Sequence, residues 1–322
     1  MAKVAVFVDD KGYNNIDISS PNKGNPGIGG TEYCFAMLLW AMQEYSKEDI
    51  FLFQTGNNKF PSCSHVEYVE SLYEAIERCG RYGLDFILFR YTEGETRALR
   101  ELEKYSVNAI AWVHNYLMGP GAKAAASCRN IKAVVMVSHQ QYDRYIDHDI
   151  IDKCKYIYNI VEKSGYESSV ASQAHAVTYT GAIVRVKGFH ILAKSWKNIV
   201  AQVPDAELYV IGTGALYDHK AQLGQYGIAE SDYEKSFIND LTDEHGNLLP
   251  SVHFLGKMGQ EKVEIYRKTR VGIINPSART ETFGLGAVEM QSCGVPVVLK
   301  KSNGFPDVIE NGKQVFICII FL

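Results

Sequence analysis

The sequence predicts an α/β fold made of two Rossmann-like domains, and three observations support this prediction. Its 322 residues are about twice the length of an ordinary domain. Short apolar runs alternate with amphipathic stretches, as in parallel strands connected by helices. This alternation weakens into polar residues over 159–174 and then starts again. We therefore expect an N-terminal domain, 1–165, and a C-terminal domain, 166–322, facing each other across a cleft.

In the first half, strands and helices are expected to alternate from the N-terminus onward. Short apolar runs predict strands at 4–8, 50–54, 86–89, 109–113 and 133–138. Helical spacing of apolar residues predicts helices at 32–45 and 71–81. Ligands of such sheets bind beyond the carboxyl ends of the strands, so the residues that follow each strand are the first candidates for function.

The second half repeats this pattern. Strands are predicted at 177–181, 208–211, 252–255, 271–275 and 295–299, and helices at 188–200, 262–268 and 285–293. The stretch 226–250 is polar and acidic, so we expect it to form a surface insertion.

Composition excludes several classes of protein. Hydrophobic residues make up 46% and charged residues 22%, which is ordinary for a globular protein and unlike disordered, collagen-like or coiled-coil chains. The net charge of −4 argues against a nucleic-acid partner. The seven cysteines form no C-x-x-C pair, which argues against a zinc site or a disulfide framework and favours the reducing cytoplasm.

Membrane insertion is not expected from the sequence. The apolar run near the N-terminus is too short for a signal peptide. No apolar stretch approaches the roughly 20 residues that span a bilayer. We expect a soluble protein, for which peripheral contact with a membrane stays open.

The segment 275–289 is the most informative about function. A predicted strand ends there, a loop carries Glu281, and a helix starts near Gly284 or Leu285. Glycine lets a ligand approach the backbone, and a helix start offers N–H groups to phosphate. With Glu281 before the turn and Glu289 inside the helix, the segment suits a nucleotide sugar. The spacing alone does not exclude the alternative of a loop glutamate followed by a solvent-facing helix glutamate.

This segment resembles the E-x7-E motif of the retaining GT-B glycosyltransferases of family 4, also called glycosyl transferases group 1. Seven residues separate Glu281 from Glu289, as that motif requires. Further similar segments follow the order of the family along most of the chain: 27–31, 179–191, 208–216, 252–256, 276–277, 283–285 and 294–298. The resemblance implies the GT-B architecture.

The resemblance also implies roles for the residues of the motif. Glu281 would contact the donor sugar, and Glu289 would bind the ribose hydroxyls. Backbone amides between them would contact sugar or phosphate, at Thr282, Phe283, Gly284 and Leu285.

Lys187 is expected to neutralise the diphosphate leaving group, since it lies where a strand gives way to a helix. The family usually has an arginine directly after the first glycine of this loop, where this chain has Ala182. Arg185 of the same loop is the candidate substitute. Solvated surface cations remain the alternative for both Lys187 and Arg185.

Three more segments match the family in position. Gly29 and Gly30 would face the donor phosphate and the acceptor, although they also fit a simple tight turn. Gly212 belongs to a loop that would line the nucleotide pocket. Lys257 and Met258 would approach the base.

The loop at Gly212 also resembles the dinucleotide fingerprint. Tyr217 stands where the third glycine is required, so NAD binding is weakly supported.

His114, at the end of a predicted strand, matches a histidine on the acceptor side of the family. Its imidazole, neutral or charged, could hydrogen-bond a donor-sugar hydroxyl and stabilise developing positive charge. A buried structural histidine is the alternative. The sequence Asp147-His148-Asp149 has the D-x-D pattern of some metal sites. On a helix, residues two apart point in different directions and could not share an ion, so we interpret the segment as a solvated polar turn.

The function implied is transfer of a sugar from a nucleotide diphosphate sugar to a glycan, lipid-linked or small-molecule hydroxyl, with retained configuration. The resemblance implies no metal and no cofactor besides the donor substrate, and polysaccharide or glycoconjugate synthesis as the setting. Two alternatives stay open. One is a nucleotide-sugar epimerase on the same fold. The other is a non-catalytic binding protein, favoured by Ala182 and by a C-terminus that is short for the family.

Overall fold

The computed structural model describes residues 1–13, 15–167, 175–216 and 221–310, and the backbone of Val315–Ile317. The chain divides into two compact units, Met1–Ile160 and Val161–Leu322, called here unit 1 and unit 2. Residues 168–174 of the polar stretch 159–174, where a linker between the domains is expected, lie outside the described residues, as do Tyr217 and the last residues, 318–322.

Unit 1 contains a parallel sheet of seven strands. They are β1 (Lys3–Val8), β2 (Asp49–Gln54), β3 (His65–Tyr68), β4 (Phe86–Arg90), β5 (Ala109–Val113), β6 (Ile131–Met136) and β7 (Cys154–Tyr156). Their order across the sheet is β3-β2-β1-β4-β5-β6-β7. The order reverses between β1 and β4, and this switch point is where doubly wound sheets bind ligands.

Helices connect the successive parallel strands of this sheet except β2 and β3, which are joined by the loop 55–64. The helices are α1 (Gly30–Tyr45), α2 (Leu72–Tyr82), α3 (Thr96–Lys104), α4 (Gly119–Ser127) and α5 (His139–Asp143). The start of α2 is fixed by Ser71, whose side chain accepts a hydrogen bond from the Glu74 N–H. All predicted strands and helices of this half are present within a few residues of their expected bounds, and β3, β7, α3, α4 and α5 were not predicted.

Unit 2 contains a second parallel sheet, of six strands. They are β8 (Ala176–Thr180), β9 (Glu207–Ile211), β10 (Val252–Gly256), β11 (Val271–Ile274), β12 (Val297–Leu299) and β13 (Val315–Ile317). Their order is β10-β9-β8-β11-β12-β13, which repeats the arrangement of unit 1 and places the switch point between β8 and β11.

Both faces of the second sheet are covered. Its helices are α6 (Phe189–Gln202), α7 (Ser231–Lys235), α8 (Lys262–Lys268), α9 (Leu285–Ser292) and α10 (Phe305–Val308). Successive residues of a strand point to opposite faces. Accordingly Val210 lies in a core cluster with Trp196 of α6, and Ile211 lies in another with Tyr266 of α8.

The expectation that 226–250 is a surface insertion is wrong in part. Tyr233, Phe237 and Leu241, spaced four residues apart, are buried in the core against α6. Glu234 is buried as well, and its carboxylate accepts hydrogen bonds from the N–H groups of Tyr226 and Ile228, both at 2.9 Å. The acidic residues between them obscured this spacing in the sequence.

Within the described ranges, no helix combines the length and the apolar character that crossing a bilayer would require.

Candidate active site

Two loops of unit 2 meet at the switch point of its sheet. One follows β8 and carries Ala182, Arg185 and Lys187, and the other follows β11 and carries Glu281. Strands β8 and β11 are direct neighbours, with Thr180 opposite Ile274. Because their carboxyl ends lie side by side, residues predicted from separate parts of the sequence come together here.

Lys187 and Glu281 form the ion pair at the centre of this site. The Lys187 Nζ lies 2.9 Å from the Glu281 Oε2, and the two side chains are 17% and 15% exposed. The buried Asn275 amide also donates to this carboxylate oxygen, at 3.0 Å. A cation and an amide thus fix the carboxylate at the carboxyl end of β11. Asn275 was predicted only as the end of a strand.

The loop after β11 holds an unusual backbone. Asn275, Ala278 and Thr280 have φ values of 41°, 57° and 56°, in the left-handed region that non-glycine residues seldom occupy. The Asn275 side chain secures the loop by donating to the carbonyl of Arg279 at 3.1 Å. Such conformations cost about 1–3 kcal/mol each and concentrate at ligand sites.

Helix α9 begins directly after this loop, with Gly284 as its N-cap at a φ of 98°. A Cβ at Gly284 would lie 2.8 Å from the ring of Phe305. Both this close contact and the positive φ require glycine at the position. The side chains of Thr282 and Phe283 are buried. The groups that this turn offers a ligand are therefore those of its backbone, together with the positive end of α9.

Glu289 lies inside α9 and is buried, which excludes the alternative of a solvent-facing glutamate. Its Oε2 accepts from the Lys262 Nζ at 2.9 Å, and its Oε1 accepts from the Tyr166 hydroxyl at 3.1 Å. Tyr266 packs beside them, and burial, followed by the charge of Glu289, raises the pKa of its hydroxyl well above the usual value. Neither Lys262 nor Tyr166 was predicted.

Ala182 and Arg185 differ sharply in their surroundings. Ala182 is buried, and its carbonyl accepts from the Tyr179 hydroxyl at 3.1 Å. Arg185 is exposed, with its guanidinium over the ring of Tyr233 at 5.1 Å. The Tyr233 hydroxyl in turn lies 3.0 Å from Nδ1 of His190, on the first turn of α6. The expected substitute for the missing arginine thus stacks on α7.

The surroundings of His190 are rich in positive charge. Burial lowers its pKa, and the charges of Lys194, Arg185 and Arg279 lower it further. Arg279, from the loop after β11, was not singled out from the sequence.

The remaining predicted residues of unit 2 lie at neighbouring strand ends. A Cβ at Gly212, after β9, would overlap the carbonyl oxygen of Gly181, after β8. Its φ of 144° also disfavours a side chain. Lys257 and Met258 follow β10, one strand further from the switch point, and Met258 packs against the cluster around Tyr266.

In unit 1, Gly29 is the N-cap of α1 and Gly30 its first residue. The Gly29 N–H donates to the Tyr13 hydroxyl at 2.9 Å. His114 directly follows β5 and is buried, with its ring 4.4 Å from that of Trp112. Burial, aided by the charge of Arg90, lowers the pKa of His114 to about 3. Its imidazole is therefore neutral at physiological pH.

The D-x-D sequence has a structural part in the fold. Nδ1 of His148 accepts from the Ile150 N–H at 3.1 Å and so caps the short 3-10 helix Asp149–Lys153. In the part of the chain that the structure describes, no group of three or more histidine, cysteine, aspartate or glutamate side chains is placed to hold a metal ion.

Sequence comparisons match a family model and several glycosyltransferases. Residues 167–319 match the family model of glycosyl transferases group 1. A D-inositol 3-phosphate glycosyltransferase of Corynebacterium kroppenstedtii is 31% identical over 154 residues, which are 48% of this chain and 31% of that protein. The capsular polysaccharide biosynthesis glycosyltransferase CapM of Staphylococcus aureus is 30% identical over 141 residues, 44% of this chain and 32% of CapM. The matched segment thus spans about a third of these relatives.

Structural comparisons extend over almost the whole chain. HepE (Alr3699) of Anabaena, solved in complex with UDP, aligns with a TM-score of 0.69 at 19% identity, covering 98% of this chain and 85% of HepE. A glycosyltransferase from Rickettsia africae aligns with a TM-score of 0.65 at 12% identity, over 98% and 83% of the two chains. At these identities the similarity concerns the fold.

Proposed function

We propose that this chain, which has the GT-B fold, transfers a sugar from a nucleotide diphosphate sugar to a hydroxyl acceptor. The premise is the match of residues 167–319 to glycosyl transferases group 1. The observation that carries this proposal is the Lys187–Glu281 pair at the switch point beside the start of α9. It joins a cation, a hydrogen-bond acceptor and a helix N-terminus, which are the groups that a sugar diphosphate requires.

The diphosphate would lie between Lys187 and the first turn of α9. The Lys187 ammonium already pairs with an anionic oxygen at 2.9 Å, and a phosphate oxygen is the same kind of partner. The backbone N–H groups at the start of α9 add positive potential. Both stabilise the negative charge that develops on the leaving phosphate, which is how we expect most of the rate enhancement to arise.

The sugar and the ribose would be held by the two glutamates. Glu281 accepts a hydrogen bond from a sugar hydroxyl, and Glu289 accepts from the ribose. In the proposed retaining step, the bond from the anomeric carbon to the phosphate oxygen breaks, and the acceptor oxygen bonds to that carbon on the same face. The acceptor proton passes to the leaving phosphate oxygen, so the products are the glycoside and a nucleoside diphosphate. This scheme assigns no step to a metal ion.

The acceptor is proposed to be a glycan, a lipid-linked saccharide or a small hydroxyl compound. Gly29, Gly30 and the neutral His114 of unit 1 are the candidate residues on the acceptor side. Since HepE was solved with UDP and with UDP-glucose, uridine is the base to test first. Polysaccharide or glycoconjugate synthesis, a cytoplasmic location and contact with a membrane surface stay predictions.

A second function, binding of a nucleotide sugar without transfer, is favoured by one observation. The family arginine is replaced by the buried Ala182, and Arg185 stacks on Tyr233. A site with only Lys187 facing the diphosphate would bind the donor and stabilise its departure poorly.

The first experiment is a calorimetric titration with UDP, GDP and ADP, with and without magnesium. We expect micromolar binding of one nucleotide, lost in Glu289→Gln and retained in the matched control Glu264→Gln, an exposed glutamate of α8. Failure of all three nucleotides to bind would refute the proposal.

Turnover of the matching sugar nucleotide then separates the candidate functions. Release of the nucleoside diphosphate that depends on an acceptor indicates transfer, and retention is read from the anomeric configuration of the product. A second sugar nucleotide formed without acceptor indicates epimerisation. Binding without either product indicates a binding protein.

A further inference from the structure

A buried ion pair lies behind the proposed ribose-binding residue. The Lys262 Nζ of α8 lies 2.9 Å from the Glu289 Oε2 of α9, and the two side chains are only 10% and 3% exposed. The two residues are 27 positions apart in the sequence. Their contact therefore depends on how α8 and α9 pack on the sheet.

Such a pair is a poor source of stability. Removing two charges from water costs several kcal/mol per ion, and apolar residues of similar volume often serve stability better. Tyr166 and Tyr266, which interact with the pair, are themselves fully buried, so the pair lies away from water. A contribution to stability therefore does not explain why a charged pair occupies this position.

We propose that Lys262 is a positioning residue of the donor site, which keeps the Glu289 carboxylate charged and oriented to accept hydrogen bonds from ribose hydroxyls. This inference rests on the proposed function. The two oxygens of the Glu289 carboxylate have different partners. Oε2 accepts from the Lys262 ammonium, while Oε1 accepts from the hydroxyl of Tyr166, at 3.1 Å. A ribose hydroxyl is a donor of the same kind.

The chemistry of the carboxylate explains why the cation matters. An ionised carboxylate only accepts hydrogen bonds and has about four acceptor positions, so it can serve Lys262, a tyrosine and the ribose together. Without the ammonium, the buried carboxylate would lack its counter-charge and would favour uptake of a proton. The protonated acid is itself a donor, so it would accept poorly from ribose. Among the described residues, Tyr166, Tyr266 and Cys293 are further titratable groups that interact with Glu289.

The test measures the affinity of the protein for the nucleoside diphosphate that it binds and for the 2′,3′-dideoxy counterpart of that nucleotide. The ratio of the two affinities reports the contribution of the ribose hydroxyls. For the unaltered protein we expect the ribose hydroxyls to improve affinity about 10- to 100-fold, the range for hydrogen bonds to a charged group. In Lys262→Met this ratio should fall to about threefold or less. Lys262→Arg should restore most of it. Lys268→Met, which removes an exposed lysine from the same helix, should leave it unchanged.

The ratio distinguishes positioning from simple structural support. General damage to the site would weaken binding of both nucleotides and leave their ratio unaltered, and that result would overturn the inference. If thermal unfolding shows that Lys262→Met does not fold, Lys262→Gln, which keeps an N–H donor without the charge, replaces it with the same expectation. Absence of nucleotide binding by the unaltered protein would overturn the proposed function, and this inference with it.

Discussion

His114 shows how burial decides the chemistry of a single side chain. Its imidazole packs at a tilt against the ring of Trp112 and lies close enough to Arg90 to be affected by its charge. Both burial and that charge disfavour the imidazolium, so the pKa falls from the usual 6.5 to about 3. Of the two states allowed by the sequence analysis, the structure favours the neutral one. A neutral imidazole can still hydrogen-bond a sugar hydroxyl, but it carries no charge.

This shift makes stability depend on pH. Since the folded pKa of His114 lies below the unfolded value, the unfolded chain takes up the proton first as the pH falls below 6.5. The free energy of unfolding should therefore drop by about 1.4 kcal/mol per pH unit over that range. Between pH 7 and pH 5, we expect the free energy of unfolding of the unaltered protein to fall by about 2 kcal/mol more than that of His114→Gln.

Urea unfolding of both proteins at the two pH values measures this difference. His65→Gln, which removes a half-exposed histidine from the same unit, serves as the control and should behave like the unaltered protein. Equal losses in His114→Gln and the unaltered protein would contradict the prediction.

Lys187 is the residue on which the proposed chemistry depends most. Lys187→Met removes the cation that faces Glu281 at 2.9 Å, and with it the charge proposed to stabilise the leaving phosphate. We expect the transfer rate to fall by about 10²- to 10³-fold, the usual loss for such a group. The control is Lys197→Met on α6, whose Nζ contacts only the Asn239 carbonyl among the described residues. A rate within threefold of the unaltered protein would show that Lys187 does not act on the phosphate.

Lys187 and Glu281 were singled out separately, each from the loop that carries it, and their roles stay predictions. The neighbouring strands β8 and β11 bring the two side chains together. Lys262 and Tyr166 were missed, because they reach Glu289 across 27 and 123 positions of sequence. No spacing rule connects residues that meet only after helices have packed.

At the scale of elements, burial and the share of charged residues both affected which strands and helices could be predicted. The central strands β1 and β5 are short apolar runs, and the sequence predicted them. Helix α3 buries Ala98, Leu99 and Leu102 and was missed because five of its nine residues are charged. The edge strand β3 was missed because exposed residues lie on both of its faces. Elements that contribute little to the core leave little periodicity to detect.

The approach of β9 to β8 yields a sharp prediction about Gly212. A Cβ there would overlap the carbonyl oxygen of Gly181, so backbone must move in Gly212→Ala. We expect the free energy of unfolding of Gly212→Ala to fall by about 3 kcal/mol or more, because a disrupted core contact adds to backbone strain. Gly256, at the end of β10, has a φ of 69°, and none of the described groups beyond its chain neighbours lies within 4 Å of the place a Cβ would take. Gly256→Ala should therefore cost only about 1–2 kcal/mol of strain.

Thermal and urea unfolding of the two alanine variants compare these costs directly. Equal losses would mean that strain alone, and not the contact with Gly181, sets the requirement for glycine.

At the scale of the whole molecule, each unit has the parts of an independent domain. Unit 1 contains its own seven-stranded sheet and a core that includes residues from every strand but β3. We therefore expect the fragment 1–160 to fold alone and to unfold cooperatively in urea. A fragment ending at residue 130, which lacks β6 and β7, should not. A non-cooperative transition in the longer fragment would show that unit 1 depends on unit 2.

The presence of two α/β units could be predicted from the repeated alternation, but the order of their strands could not. Alternation indicates parallel pairing with helical connections and gives no information on which strands are neighbours. The switch points therefore became known only from the structure, and with them the reason why the loops after β8 and β11 form one site.

The central position of β1 has a consequence for synthesis of the chain. This apolar strand pairs with β2 on one side and with β4 on the other. On a ribosome that adds about 5–20 residues each second, β4 emerges roughly 4–16 s after β1. Throughout that interval one hydrogen-bonding edge of β1 is unpaired, and such edges invite pairing with other chains. The nascent chain should therefore be a client of chaperones that bind short apolar segments, until residue 90 has left the ribosome.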